Sequence, residues 1–253
     1  MISSGFYTLF YKELLRFVKV GWQTLAAPIV TALLYLLVFA HVFEGRIQVF
    51  EGVSYTAFLI PGLIMMSIIQ NAFANSSSSL IQSKVTGNIV FMLLAPLSSF
   101  EFFFAFVLAA VVRGVAVGVG VYVAVILVVS LPTHSPVFVV TFAVLGSAVL
   151  GALGLIAGVW ADKFDHLGAF QNFVIVPLSF LSGVFYSIHS LPTFWQQLSR
   201  FNPFFYMIDG FRYGFFGASD ASPITSLVIV ILFFLSLSGI SLLMLKRGYK
   251  LRN

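Results

Sequence analysis

Few side chains in this 253-residue sequence are of the kinds that do chemistry. It has 13 lysines and arginines, 8 aspartates and glutamates, 4 histidines and no cysteine. The absence of cysteine excludes disulfides, zinc–thiolate sites, iron–sulfur clusters and thiol nucleophiles. There is no Gly-Lys dipeptide, so the sequence holds no G-x-x-x-x-G-K-[ST] nucleotide-binding loop. It also lacks an H-E-x-x-H motif, and its histidines are scattered, so we predict no metal site.

The sequence also lacks the residues that acid–base catalysis or an ion relay inside the membrane would need. No pair of carboxylates falls inside an apolar segment, where it could act as an acid and a base. Arg113 is the one charge well inside a long apolar segment. Such a charge indicates either a functional site or a structural arginine whose donors a neighbouring helix satisfies. We therefore predict a chain without catalytic residues or a cofactor of its own, and Arg113 is a candidate functional charge inside the membrane.

The composition predicts an integral membrane protein. Hydrophobic residues make up 60% of the sequence and charged residues 8%, and the mean hydropathy is +1.06. An ordinary soluble domain has about 25% charged residues. So few charged side chains could not cover the surface of a soluble monomer, and this excludes the soluble enzyme folds.

Charge-free runs locate the membrane spans, because about 20 apolar residues cross a bilayer. The longest run, 114–161, is divided by a turn that contains Pro132 and Pro136. Pro177 and Gly183 predict that the fifth span is kinked or broken. The sequence predicts an all-α membrane protein of one domain, 1–253, with six spans at about 22–43, 55–75, 102–129, 137–160, 167–185 and 224–245.

The distribution of lysine and arginine predicts the orientation. An even number of spans places both termini on one side of the membrane. That side would hold nine of these residues, against three on the opposite side. By the positive-inside rule, we expect both termini to be cytoplasmic.

Two segments on the predicted cytoplasmic side stand out. Residues 1–21 predict an amphipathic helix in the headgroup layer, which serves as an anchor or offers its basic face to a partner. Residues 76–101 predict a large loop that opens with four serines and is unusually apolar. Such a loop would pack against the membrane, against its own bundle or against another protein.

On the outer side, 186–222 is too interrupted to form two spans and too apolar for an exposed loop. It predicts two short re-entrant helices that meet at Asn202-Pro203, since backbone at membrane depth is tolerated when it packs against protein. Asp209 and Arg212 lie three residues apart and could pair on one helix face.

Small residues predict close contacts between the spans. Gly114 and Gly118 lie four residues apart in the third span, as do Gly154 and Gly158 in the fourth. This spacing allows helix backbones to approach each other in a membrane.

Together, these features resemble the ABC-2 type transporter permeases, and within them the YadH/NodJ-like branch. The resemblance covers nearly the whole chain and lies in the order of its motifs. They are the amphipathic start, the six spans, Lys84-Val85-Thr86-Gly87-Asn88, Leu94-Ala95-Pro96-Leu97-Ser98, Leu191-Pro192, Asn202-Pro203 and Phe211-Arg212-Tyr213-x-x-Phe216-Gly217.

The resemblance implies the fold of type V ABC exporters, in which two six-span subunits bind two separate ATPase subunits that hold the ATP and Mg²⁺. It implies a connecting helix around Lys12, Glu13 and Arg16 at the ATPase interface. The implied ATPase-coupling segment is Lys84, Val85, Thr86, Gly87 and Asn88. The implied outer gate is the 191–216 pair, with Pro192, Asn202, Pro203, Tyr206, Asp209, Arg212 and Phe216.

We therefore expect the permease subunit of an exporter in the bacterial inner membrane, working as a homodimer surrounded by lipid, with no nucleic acid partner. Its substrate would be an amphipathic lipid, a lipid-linked glycan or a hydrophobic drug. The alternatives are a secondary transporter or channel and a non-transporting membrane scaffold. Dependence on ATP hydrolysis by a partner separates the exporter from both.

Overall fold

The protein is a bundle of helices. The computed structural model describes residues 4–43, 49–50 and 52–251. A π-helical turn, Gln171–Ile175, and a 3-10 turn, Ile188–Ser190, lie between α-helices. The α-helices in the described ranges are α1 (Ser4–Lys19), α2 (Gly21–Phe43), α3 (Tyr55–Val85), α4 (Ile89–Leu94), α5 (Ser99–Ile126), α6 (Pro136–Trp160), α7 (Phe164–Phe170), α8 (Val176–Phe180), α9 (Thr193–Phe201), α10 (Pro203–Phe216) and α11 (Pro223–Arg247). The predicted all-α class is confirmed.

Five helices of the described part are long and apolar enough to cross a membrane, namely α2, α3, α5, α6 and α11. They correspond to the first, second, third, fourth and sixth predicted spans. α1 occupies most of the predicted amphipathic segment, and Met1 to Ser3 lie outside the described residues. The structure thus supports five spans, where the sequence predicts six.

The predicted fifth span, 167–185, is not one long helix. It consists of α7, the π-helical turn and α8, which have seven, five and five residues. A proline lacks the N–H that the α-helical ladder needs, and the helix widens into the π turn immediately before Pro177. Gly183 then turns the chain with a φ of +75°, a conformation that favours glycine. The break predicted from Pro177 and Gly183 is present.

The loop predicted at 76–101 begins later in the structure, after residue 85. α3 continues through the four serines to Val85, well beyond the predicted end of the second span at residue 75. Ser77, Ser78 and Ser83 donate their hydroxyls to carbonyls four residues earlier, at 2.8, 2.5 and 2.9 Å. Serine therefore satisfies its polar group within the helix here and does not end it.

Glycines place α3 against α5 and α6, as the small-residue spacing predicts. A Cβ atom at Gly114 of α5 would lie 3.1 Å from the carbonyl oxygen of Ile68 in α3, and one at Gly154 of α6 would overlap the backbone of Phe73 in α3. A Cβ at Gly158 would lie 3.2 Å from the carbonyl oxygen of Ser77. Only a residue without a side chain permits these approaches.

α2 and α11 lie at the outside of the bundle. In the most apolar stretch of each, 12% and 17% of the residues are buried, against 78% in α3. Apolar side chains such as Leu34, Leu37, Leu232 and Leu235 are exposed on them. These faces suit the bilayer or a second membrane subunit.

Candidate functional site

A buried carboxylate fixes α1 to the end of α3. Glu13 is completely buried and accepts hydrogen bonds from Lys12 Nζ at 2.9 Å and from Ser79 Oγ at 2.7 Å. Arg16 Nε lies 3.7 Å from Glu13 Oε2. Because a buried charge is costly unless it is paired, this cluster holds α1 in one position on α3.

The three residues of the predicted connecting helix therefore differ in accessibility. Arg16 also donates to the carbonyl oxygen of Asn75 at 2.7 Å and to Ser78 Oγ at 3.1 Å. Glu13 and Arg16 thus serve the contact with α3. The side chain of Lys12 is 44% exposed and is the member of the three that faces outward.

A cleft of about 420 Å³ separates α1 from the last turn of α3. Lys12 and Arg16 line one wall, and Thr86 and Asn88 line the other. The structure therefore brings the predicted connecting helix and part of the predicted coupling segment together, although they are far apart in the sequence. We call this end of the molecule the basic end.

The coupling segment itself forms an exposed turn. Thr86 ends α3, and its Oγ1 donates to the carbonyl oxygen of Gln82 at 2.8 Å. Gly87 has a φ of +75°, so the turn requires a residue that adopts the left-handed region. Val85 is 58% exposed, and Gly87 and Asn88 are also exposed. This turn is open to a partner.

Lys84 points away from that turn. Its Nζ donates to the carbonyl oxygens of Val159 and Ala161, at 2.9 and 2.5 Å, and lies 3.7 Å from Asp162 Oδ1. Asp162 also binds Lys250 Nζ at 2.7 Å, and this hydrogen bond holds the pKa of the Asp162 carboxyl below its ordinary value. Lys84 thus ties the end of α3 to the end of α6.

The short helix α4 carries exposed residues that the predicted coupling segment does not include. Phe91 is 74% and Leu94 77% exposed, whereas Ile89 faces the core. Large apolar side chains exposed together indicate an interaction surface. The signal in the sequence is the run Ile89–Leu94, six apolar residues between Gly87-Asn88 and Ala95-Pro96.

At the opposite end, Asn202 organises the predicted gate helices. Pro192 precedes α9 as its N-cap residue, and Pro203 is the first residue of α10. Asn202 Oδ1 accepts a hydrogen bond from the N–H of Phe204 at 3.0 Å. Its Nδ2 donates to the carbonyl oxygen of Leu178 at 2.7 Å. Asn202 therefore caps α10 and joins it to α8.

Two aspartates fasten the segment that follows α10. The buried Asp209 accepts backbone hydrogen bonds from Asp220 and Ala221, at 2.8 and 2.9 Å. Asp220 in turn accepts from Ser187 Oγ at 2.6 Å and from the N–H of Ile188 at 2.9 Å. Asp220 is a functional candidate that the prediction missed. The sequence feature that could have indicated Asp220 is its position among small residues, shortly before Pro223 begins α11.

The predicted pairing of Asp209 with Arg212 is wrong. Within the described residues, the two side chains do not come within ion-pair distance. The completely buried Arg212 donates to the carbonyl oxygen of Gly183 at 2.7 Å and stacks over Phe58, with 3.9 Å between Cζ and the ring centroid. Backbone atoms compete successfully for both side chains because α10 packs into the centre of the bundle.

The remaining gate residues lie at the edges of α10. Tyr206 is partly exposed and donates its hydroxyl to the carbonyl oxygen of Arg200 at 2.8 Å, which links α10 to α9. Phe216 is half-buried at the end of α10, where Gly217 caps the helix with a φ of +67°. Among the predicted gate residues, Asn202 thus joins α10 to α8, and Arg212 joins α10 to the turn at Gly183.

Arg113 lies in neither of these assemblies. It donates a hydrogen bond to Asn71 Oδ1 at 3.3 Å and lines a cavity of about 540 Å³ that Arg16 also lines. The structure therefore connects the predicted intramembrane charge to the basic end.

Comparison with known proteins gives the family. The model of the ABC-2 type transporter family matches residues 4–216, which include α1 through α10. The inner membrane transport permease YadH of Escherichia coli strain K12 is 39% identical over 246 residues, which cover 97% of this chain and 96% of that protein. YadH of Shigella flexneri has the same identity and coverage. Nodulation protein J of Rhizobium leguminosarum bv. viciae is 34% identical over 70 residues, or 28% of this chain and 27% of that protein.

These matches agree with the helices described above. A permease of this kind is a non-catalytic subunit of the inner membrane, it carries no cofactor of its own, and it implies an ATPase partner. The family model covers most of the chain, and a relative is 39% identical over 97% of the chain. The chain therefore belongs to the ABC-2 type transporter permeases.

Proposed function

We propose that this chain is the membrane subunit of an ATP-driven exporter of an amphipathic substrate: a lipid, a lipid-linked glycan or a hydrophobic drug. Two copies form the pathway, and each binds one separate ATPase subunit at the basic end. The observation that carries this proposal is the surface formed by α1, the turn at 85–88 and α4. It exposes Lys12, Phe91 and Leu94 beside an open cleft.

This surface is connected to the spans. The Glu13–Ser79 hydrogen bond ties α1 to α3, and Lys84 ties the end of α3 to the end of α6. An ATPase that closes on ATP and pushes on the turn would therefore move α1, α3 and α6 together. Rigid helices carry such a displacement over their whole length.

At the opposite end, α9 and α10 would form the outer gate. α10 begins at the Asn202 cap and packs beside α3 and α6. The broken segment α7–α8 supplies the sixth crossing, and α9 and α10 re-enter the outer leaflet. Their irregular backbone is supported by Asp209, Arg212 and Asp220, as non-helical backbone at that depth requires.

The experiment is co-purification of the tagged chain with an ATPase encoded beside it. Wild-type protein should retain the ATPase in equal amounts, with two copies of each subunit by native mass spectrometry. Phe91→Asp should reduce the retained ATPase about tenfold or more, since a charge replaces an apolar contact in the interface. The variant should remain folded because its side chain is 74% exposed.

The matched control is Phe201→Asp, the same substitution at a position on α9 that is 86% exposed. It should leave the ATPase bound. If Phe91→Asp retains as much ATPase as wild type, the ATPase does not bind at this surface. If folded wild-type protein binds no ATPase, the exporter proposal fails.

A further inference from the structure

A polar cavity lies between α1, α2, α3 and α5, apart from the cleft assigned to the ATPase. Its volume is about 540 Å³, within the range of small-ligand sites. Of the residues that line it, two are charged, and both are arginines, Arg16 and Arg113. No carboxylate of the described residues lines this cavity. The formal charge of this described lining is therefore positive.

Most N–H donors of Arg113 are not used in hydrogen bonds within the described residues. A guanidinium has five N–H donors, and Arg113 makes one hydrogen bond within the described residues, to Asn71 Oδ1 at 3.3 Å. Its Nε is buried and lacks a partner there. The amide of Asn71 is itself fixed, since its Nδ2 donates to the carbonyl oxygen of Ser67 at 3.1 Å. An unpaired cation inside a membrane span is costly, so an anion at this position would stabilise it.

Arg16 brings a second positive charge to the cavity, and the carboxylate nearest to it does not neutralise Arg113. The guanidinium of Arg16 is shared with Asn75, Ser78 and Glu13, and its Nε has no hydrogen-bond partner in the described chain. The two guanidinium groups line the same cavity. Glu13, the carboxylate beside them, is already held by Lys12 and Ser79.

Along α3, the cavity lining changes from polar to apolar. Ser78 lies nearest α1, and Met66 and Leu63 lie farther along the helix. The α2 wall is mixed, with Thr31 beside Ala32. A ligand that fits both parts has an anionic head at the basic end and an apolar tail directed toward the membrane centre.

We infer that this cavity binds the phosphate group of a membrane amphiphile, with Arg113 and Arg16 as its ligands. Arginine binds phosphate through paired N–H donors, and such charge-assisted hydrogen bonds are among the strongest. Phosphate is the anionic group found at the depth of α1, in the lipid headgroup layer. The inference uses the proposed function only to place the basic end in the cytoplasmic leaflet.

The test measures binding to the purified full-length chain in a nonionic detergent. The probes are dioctanoyl phosphatidic acid, dioctanoylglycerol with the same tails but no phosphate, and inorganic phosphate. Ligand-dependent increases in Tm give apparent affinities, because a ligand that binds the folded state stabilises it. Phosphatidic acid should raise the Tm at concentrations at which the other two probes do not.

The variants are Arg113→Gln and Arg16→Gln, with Arg200→Gln on the exposed surface of α9 as the matched control. Each cavity variant should weaken phosphatidic acid binding about tenfold or more, since each removes a charge-assisted donor. Arg200→Gln should match wild type. Arg113→Lys, which keeps the charge, should bind better than Arg113→Gln, and it also serves if Arg113→Gln does not fold.

Three results would overturn the inference. They are equal phosphatidic acid binding by wild type and both folded cavity variants, equal stabilisation by dioctanoylglycerol, and stabilisation by inorganic phosphate alone that matches the lipid. The last would assign the cavity to a soluble anion. The experiment contains no ATPase and no transport step, so its outcome is independent of whether the exporter proposal holds.

Discussion

At the scale of single residues, three charged side chains in the described part of the chain are completely buried, and their hydrogen bonds hold neighbouring segments in place. Glu13 fixes α1 to α3, Asp209 holds the chain after α10, and Arg212 fastens the turn at Gly183. Each is costly to bury and remains stable only while its partners are present. These residues therefore determine where the more exposed side chains beside them can act.

Glu13→Gln should destabilise the protein. The amide keeps the shape of the side chain but loses the charge that Lys12 and Arg16 require. The expected cost is about 1–3 kcal/mol, reduced from the value for a fully buried pair because Lys12 is partly exposed. It should appear as a lower apparent Tm in detergent. Asp165→Asn, at an exposed carboxylate in α7, should leave the Tm unchanged, and a Tm for Glu13→Gln equal to wild type would contradict this role.

At the scale of elements, α3 is the centre of the bundle and glycines set its distance from α5 and α6. The contact is close because a Cβ at Gly154 would overlap the backbone of Phe73, which cannot move aside like a side chain. Dispersion and close packing supply much of the association energy between helices in a membrane. A small separation of α3 from α6 would therefore weaken the whole core.

Gly154→Ala should consequently lower stability by about 1–3 kcal/mol, the usual cost of overpacking. Gly239→Ala, in α11, is the matched control because a Cβ there meets nothing within 4 Å. It should be neutral or stabilising by about 0.5–1 kcal/mol, since alanine favours a helix over glycine. Thermal unfolding of both variants in one detergent tests this, and the prediction fails if their Tm values shift equally.

At the scale of the whole molecule, the two ends differ in charge and in exposed chemistry. The basic end has Lys12, Lys84 and Lys250 together with the exposed side chains of α4, while α9 and α10 form the opposite end. By the positive-inside rule, we expect the basic end to face the cytoplasm. This arrangement is what a coupling surface on one side and a gate on the other require.

The orientation can be tested by cysteine labelling, because the chain has no cysteine to give a background signal. Phe201→Cys should react with a membrane-impermeant maleimide in intact cells. Phe91→Cys should react only in inverted membrane vesicles. Both side chains are strongly exposed on the protein, so an absent signal would not come from burial inside the bundle. The reverse pattern would invert the topology and remove the coupling surface from the ATPase side.

Local properties of the sequence determined the class of the protein, the amphipathic α1 and the positions of five long spans. Hydropathy and charge placement act within one helix, so a linear reading detects them. The break near Pro177 and the close contacts at Gly154 were also predictable, because the absence of an N–H or a side chain has the same consequence in any fold. The order of these motifs was enough to identify the family.

Only the tertiary structure decided which partner each polar side chain takes. Lys84 turns to the carbonyl oxygens of α6, Arg212 binds Gly183 instead of Asp209, and Arg16 and Arg113 line one cavity. It also decided that the serines after residue 75 remain helical, since Ser77 and Ser78 bond within α3 and Ser79 bonds to Glu13 of α1. The physical reason is that a buried polar group binds the donor or acceptor that packing brings within reach, and residues distant in the sequence determine that packing.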